Sequence, residues 1–211
     1  GEFEHGHLER KNFPDGERYL RIMSDLFARD VVLLGGTPTD ADWLELYDLG
    51  YAISRAGARS LSIVMPYFGY STMERATRPG EVVTARTRAR LISSIPACEA
   101  GSRVFLFDLH TDGIEFYFDD SHITHHLYGS SLITGAIRRL MGDRPFVLGA
   151  TDAGRAKWVQ NLANEAQAKA AFVYKTRQAD GKTSVTGVNA DVKGSHVLLY
   201  DDLVRTGGSL L

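Results

Sequence analysis

The chain has 211 residues, of which 44% are apolar, 24% charged and 10% aromatic, a profile that excludes disorder and fibrous repeats. Its 24 basic and 26 acidic residues leave a net charge of −2, so no global cationic field holds it on nucleic acid or an anionic membrane, and neither is an expected partner. One cysteine, Cys98, excludes an internal disulfide framework, and the sequence has no long apolar run or signal-type segment. The cytoplasm, or an organelle whose import peptide is absent, is the expected compartment.

In chain order, short apolar runs at 31–34, 61–65, 103–107, 146–148, 170–174 and 196–200 each read as a central parallel strand. Longer amphipathic stretches at 40–56, 82–95, 126–141 and 153–168 read as helices between them. Thr37 is the expected N-cap of the first helix, with Pro38 at its first position and Gly57 as its stop. This alternation predicts α/β architecture with mostly parallel sheets covered by helices. It runs twice, so we expect two related halves, 1–122 and 123–211, with a ligand cleft at their junction. The chain opens at Gly1 without methionine and stops at Leu211, where a glycine turn should feed a helix. Segments missing from both ends are therefore expected.

The most specific signal lies at 197–209. A buried strand ends in Asp201-Asp202, and the turn Thr206-Gly207-Gly208-Ser209 follows. Glycines allow close backbone approach, successive amides at a helix start form a nest for phosphate, and the carboxylates suit sugar hydroxyls. A phosphorylated sugar fits this pairing; a capped strand-to-helix turn is the plainer reading. His110, in Phe107-Asp108-Leu109-His110 at another strand end, suits a divalent ion or a nucleotide phosphate, or is a hydrogen-bonded structural histidine. Asp152, in Thr151-Asp152-Ala153-Gly154, is a magnesium ligand or the cap of the following helix, and both roles can coexist.

Lys175 and Arg177 end a strand before the polar stretch 178–182, where cations can close over a transferring phosphoryl group; a solvated turn is the alternative. Among Arg75, Arg78, Arg86, Arg88 and Arg90, some form a wet helix face, whereas Arg75 and Arg78, in the loop after Pro66-Tyr67-Phe68-Gly69-Tyr70, are better placed for a polyphosphate. His122, His125 and His126 are close in sequence, yet nothing completes a four-ligand set, and a polar junction is the expectation.

Taken in this order, with Asn12-Phe13-Pro14-Asp15-Gly16-Glu17 before them, these segments resemble ribose-phosphate pyrophosphokinase over nearly the whole chain. The resemblance implies two tandem phosphoribosyltransferase-type, Rossmann-like domains. It also implies transfer of the β,γ-diphosphoryl group of ATP to the anomeric hydroxyl of ribose 5-phosphate, with Mg²⁺ as cofactor. His110 and Asp152 would then contact the metal or its nucleotide, and Lys175 and Arg177 would act as catalytic cations with His110. Asp201, Asp202, Thr206, Gly207, Gly208 and Ser209 would hold ribose 5-phosphate. Phe13, Asp15 and Glu17 match a segment that reaches a neighbouring subunit's nucleotide, so a homo-oligomer with a shared site is implied. Glu74, Arg75 and Arg78 fall in the nucleotide loop.

Most members carry Arg-Gln-Asp after the Tyr-Ser of that loop, whereas Thr72-Met73-Glu74-Arg75 follows Ser71 here. The local text, with Phe116-Tyr117-Phe118 and Lys157-Trp158, looks more like the divergent plant-type class II enzymes, which implies a broader range of nucleoside triphosphate donors. Arg205 stands where many members have a third Asp. A phosphoribosyltransferase, or a catalytically weak regulatory homologue that binds nucleotide or sugar phosphate, are the alternatives.

Overall fold

The structure is a computed structural model that describes residues 3–151, 154, 156–177 and 183–207. The chain divides into two units, Gly1–Leu127 and Tyr128–Leu211.

The first unit opens with an antiparallel hairpin, Leu8–Asn12 (β1) and Arg18–Ile22 (β2). Four parallel strands follow in spatial order: Asp30–Leu34 (β3), Ser60–Met65 (β4), Ser102–Phe107 (β5) and Ile123–Leu127 (β6). Helices Asp40–Arg55 (α1) and Thr84–Ser93 (α2) connect them, and a 3₁₀ helix spans Asp112–Tyr117. Alternate residues of the inner strands, including Leu61, Ile63, Val104 and Leu106, are fully buried and pack with Trp43 and Ile92. Apolar side chains of this size contribute ~1.5–3 kcal/mol each on burial.

Three expectations change here. β3 is an edge strand, with Val32 and Leu34 exposed, because its runs of valine and leucine are covered on one side only. The N-cap of α1 is Thr39, not Thr37: Thr39 and Asp42 form a reciprocal capping box. Thr37 is instead buried in a loop contact described below. The helix expected over 126–141 begins only at Ser130, since Ile123–Leu127 pairs with β5 in parallel register. The expected boundary at 122/123 therefore falls before a strand of the first sheet. Gly57 does follow the end of α1, at φ +80°.

The second unit carries Phe146–Ala150 (β7), Lys169–Arg177 (β8), Thr183–Val188 (β9) and His196–Tyr200 (β10), in spatial order β10-β7-β8-β9. The first three of that order are mutually parallel and β9 is antiparallel to β8. β10 is an edge strand rather than a central one. Ser130–Met141 (α3) and Ala156–Glu165 (α4) supply Ile137, Val159 and Leu162 to a second core around Leu148 and Ala150. Both units are thus α/β, with parallel sheets on which helices pack.

Candidate functional site

In the first unit the loops at the carboxyl ends of β3, β4 and β5, the edge at which parallel sheets present ligand sites, carry Thr37, Tyr70 and the candidate residue His110. The loop after β3 is tied to the loop after β4. Thr37 donates its backbone N–H and its hydroxyl to the Tyr67 carbonyl, at 3.0 and 3.1 Å, and its hydroxyl accepts from the Gly69 N–H at 3.0 Å. The approach is close enough that a Cβ on Gly69 would lie 2.0 Å from the Thr37 carbonyl oxygen.

Tyr70 follows with φ +65°, and its hydroxyl donates to Asp40 at 2.7 Å. Arg88 donates to the same carboxylate at 2.6 Å and lies 5.2 Å above the Tyr70 ring. The Tyr70 hydroxyl and then Arg88 hold the Asp40 carboxyl below the usual range, and the Asp40 bond raises the Tyr70 phenol.

Beyond Tyr70 the predicted nucleotide residues separate. Glu74 is mostly covered, with Arg75 Nε 3.5 Å from its carboxylate, while the Arg75 side chain is 78% exposed. Arg78 is exposed, and its backbone N–H, with the N–H and hydroxyl of Thr77, donates to Glu81, holding that carboxyl below its ordinary range. Arg86 lies 5.8 Å over the Tyr117 ring, Arg88 pairs with Asp40, and Arg90 pairs with Asp119. These three arginines serve intramolecular contacts rather than a wet face alone.

At the end of β5, the Asp108 N–H donates to the Leu127 carbonyl at 3.1 Å, and Asp108 adopts φ +40°. That left-handed turn costs a non-glycine residue about 1–2 kcal/mol. Leu109 is buried, and His110 beyond it is exposed. The three nearby histidines diverge. His125 stacks on Phe105 with ring centroids 4.9 Å apart, and His126 Nε2 accepts from the Leu109 N–H at 3.0 Å. His122 is buried, with Nδ1 3.0 Å from the Ser121 hydroxyl, and burial lowers its pKa.

Phe13, Asp15 and Glu17 occupy the exposed tip of the β1–β2 hairpin. The tip is closed by Phe13 N–H to Glu17 carbonyl (2.8 Å) and Gly16 N–H to Phe13 carbonyl (3.0 Å), with Gly16 at φ +93°. Arg10 and Arg18 both pair with Glu45, anchoring the hairpin to α1.

In the second unit, the Thr151 hydroxyl donates to Asp201 Oδ2 at 2.8 Å, joining the carboxyl ends of β7 and β10. Thr151 is buried, Asp201 and Asp202 are half-buried, and Thr206 is exposed. Gly207 has φ +76°, as a phosphate-nest turn requires. Register sets Tyr200, Ala150 and Phe172 on one level. The backbone of β8 runs on five residues to Arg177, about 16 Å past that level at roughly 3.3 Å per residue. Lys175 and Arg177 thus lie at the end of β8, as expected, in its antiparallel pairing with β9. Their side chains, and all of Asp152, Gly208 and Ser209, lie outside the described residues.

Sequence reasoning did not single out Asp40, and it set Arg88 aside as part of a helix face and His126 as part of a polar junction. Their partners are distant in sequence: α1 and α2 bring Asp40 and Arg88 together, and the β5–β6 register sets His126 beside Leu109.

Residues 2–95 match the family model for the N-terminal domain of ribose phosphate pyrophosphokinase. A ribose-phosphate pyrophosphokinase of Methanosarcina acetivorans is 33% identical over 202 residues, covering 96% of this chain and 67% of that protein. The chain belongs to the ribose-phosphate pyrophosphokinase family. A ribose-phosphate pyrophosphokinase of Gloeobacter violaceus is 35% identical over 209 residues, 97% of this chain. The crystal structure of phosphoribosylpyrophosphate synthetase from Mycobacterium smegmatis superposes with a TM-score of 0.80 at 28% identity and 97% coverage of this chain. The present chain spans 60% of the Gloeobacter pyrophosphokinase and 65% of the mycobacterial chain.

Proposed function

We propose that the protein transfers the β,γ-diphosphoryl group of ATP to ribose 5-phosphate, giving phosphoribosyl pyrophosphate and AMP. The anomeric oxygen attacks the β-phosphorus, the bond between that phosphorus and the α,β-bridging oxygen breaks, and the hydroxyl proton is lost. Family membership supports the reaction class, and the Thr151–Asp201 bond is the observation that carries the sugar-phosphate assignment. That bond fixes one oxygen of a carboxylate at a parallel-sheet edge, and a carboxylate retains further lone pairs to accept sugar hydroxyls. Asp202 stands beside it, and Thr206, Gly207, Gly208 and Ser209 supply donors for the 5-phosphate.

Phosphoryl transfer demands alignment and charge neutralisation more than covalent help from protein. Lys175 and Arg177, on the hairpin that outruns the second sheet, are assigned that neutralisation. His110, Arg75 and Arg78, with Glu74 behind Arg75, are assigned to the nucleotide. The exposed hairpin tip bearing Phe13, Asp15 and Glu17 suits contact with the nucleotide of a neighbouring subunit in a homo-oligomer.

Mg²⁺ takes one or two carboxylates and completes its shell with phosphate oxygens and water. No group of three His, Cys, Asp or Glu that could hold a metal ion occurs among the described residues; we assign Asp152 and His110 each to the ion or its nucleotide, a carboxylate and an imidazole being donors that suit an ion arriving with a polyphosphate. Bound there, the ion supplies charge compensation for the triphosphate. Thr72-Met73 and Glu74-Arg75 support the class II subtype and a donor range wider than ATP. No helix among the described residues is long and apolar enough to cross a membrane. On family membership we assign the activity to the cytoplasm.

The test is Asp201→Asn. Weakening a charged hydrogen bond by about 1.5 kcal/mol or more should raise KM for ribose 5-phosphate about tenfold while KM for ATP changes little. Equal changes in both would contradict the assignment.

A further inference from the structure

The segment Phe107-Asp108-Leu109-His110 leaves the sheet through a left-handed residue, and this has a consequence for the Leu109 amide. β5 and β6 run in parallel register from Arg103↔Ile123 to Phe107↔Leu127, and the Asp108 N–H still finds a strand carbonyl, that of Leu127, at 3.1 Å. The φ of +40° at Asp108 then swings the next N–H out of the ladder. A buried amide needs an acceptor. Leu109 is 3% exposed, and the acceptor it meets is the side chain of His126, the penultimate residue of β6, at 3.0 Å through Nε2. The His126 side chain is itself only 4% exposed.

From this geometry we infer that His126 is a positioning residue for His110. Leu109 is held at two points, its side chain in the hydrophobic core and its amide on the imidazole. The residue that follows is thereby placed beyond the sheet edge, exposed, with little backbone freedom. Acceptance at Nε2 requires that this nitrogen carry no proton, so the neutral ring has its hydrogen on Nδ1. Asp112 Oδ1 lies 3.5 Å from Nδ1, at the start of the 3₁₀ helix that follows the segment. The Asp112 carboxylate makes no hydrogen bond to Nδ1, but its negative charge on that side is compatible with the tautomer that the Leu109 amide needs. The inference rests on the reading of His110 as part of the nucleotide-handling group, and it adds a residue that touches neither substrate nor metal.

Two variants of the purified protein separate the possibilities. His126→Leu fills similar space without an acceptor, whereas in His126→Gln the side-chain oxygen reaches about as far as Nε2 and can accept from Leu109. With Mg²⁺, ATP and ribose 5-phosphate, His126→Leu should lose about tenfold to a hundredfold in kcat, the scale expected when a reacting group is misplaced by a fraction of an ångström to an ångström. KM for ribose 5-phosphate should stay within about twofold. His126→Gln should restore kcat to within about threefold of the parent. By NMR, the Leu109 amide should exchange faster with solvent in His126→Leu, and the His110 ring resonances should shift; both should return in His126→Gln. Unchanged kcat despite faster Leu109 exchange, or loss of activity that Gln does not restore, would overturn the inference. An inactive parent protein would instead overturn the proposed reaction. The NMR arm then decides the positioning role: His110 resonances that move in the Leu variant and return in the Gln variant support it, and resonances that stay put in both refute it.

Discussion

Lys175 and His122 illustrate two kinds of single-residue consequence, one catalytic and one structural. Lys175 is assigned to charge that develops only during transfer, so Lys175→Ala should reduce turnover by about a hundredfold or more, the effect of losing one preorganised donor. Affinity for ribose 5-phosphate, measured by equilibrium binding, should hardly change; unchanged turnover would remove Lys175 from the mechanism. His122 is buried and its pKa is depressed below the ordinary 6.5 by that burial. The unfolded chain therefore takes up a proton at a higher pH than the folded one. Folded-state stability rises with pH through the window just below 6.5 and is lost as the solution is acidified through it. The melting temperature should fall between about pH 7 and about pH 5, and fall less in His122→Asn, whose short amide can still meet Ser121. Equal pH slopes in the two proteins would contradict this.

The contact between the loops after β3 and β4 shows how neighbouring strand ends are locked, and it makes sharp demands on sequence. Gly69 has no room for a methyl group against the Thr37 carbonyl, so Gly69→Ala should destabilise by about 2 kcal/mol or more, as backbone has to move. Thr37→Val keeps the shape but removes a hydroxyl that both donates and accepts, at an expected cost of about 1–3 kcal/mol. Urea midpoints measure both, and midpoints equal to the parent's would show that the loops are not coupled. The same contact explains why Thr37 reads misleadingly as a helix cap. Thr-Pro is a common helix start, yet the buried hydroxyl answers to Tyr67 and Gly69, partners distant in sequence.

The strands β4, β5 and β7 were legible for the opposite reason: each contains a short run of mostly apolar residues that can be read from neighbouring positions alone. The strands Leu-Glu-Arg-Lys-Asn and Ile-Thr-His-His-Leu were not, because one is an exposed ribbon and the other an edge strand whose polar residues meet specific partners. At the sheet edges, Asp201 and His110 were legible as strand-end residues, whereas His126 looked like one of three interchangeable histidines until register set it against Leu109.

Taken as a whole, the chain follows an α/β alternation written twice, and each unit has candidate residues at the carboxyl edge of its parallel strands. The first unit carries the nucleotide assignments and the second those for ribose 5-phosphate, so the proposed reaction needs both. A binding-only homologue would need neither Lys175 nor a transferable diphosphoryl group. The most direct measurement uses ATP labelled with ³²P in the β-phosphoryl group, incubated with the protein, Mg²⁺ and ribose 5-phosphate, and followed by separation of products. The proposed reaction predicts that all transferred label appears in phosphoribosyl pyrophosphate, with unlabelled AMP formed in equal amount and only when ribose 5-phosphate is present. Label in ADP, or AMP formed without the sugar phosphate, would contradict it.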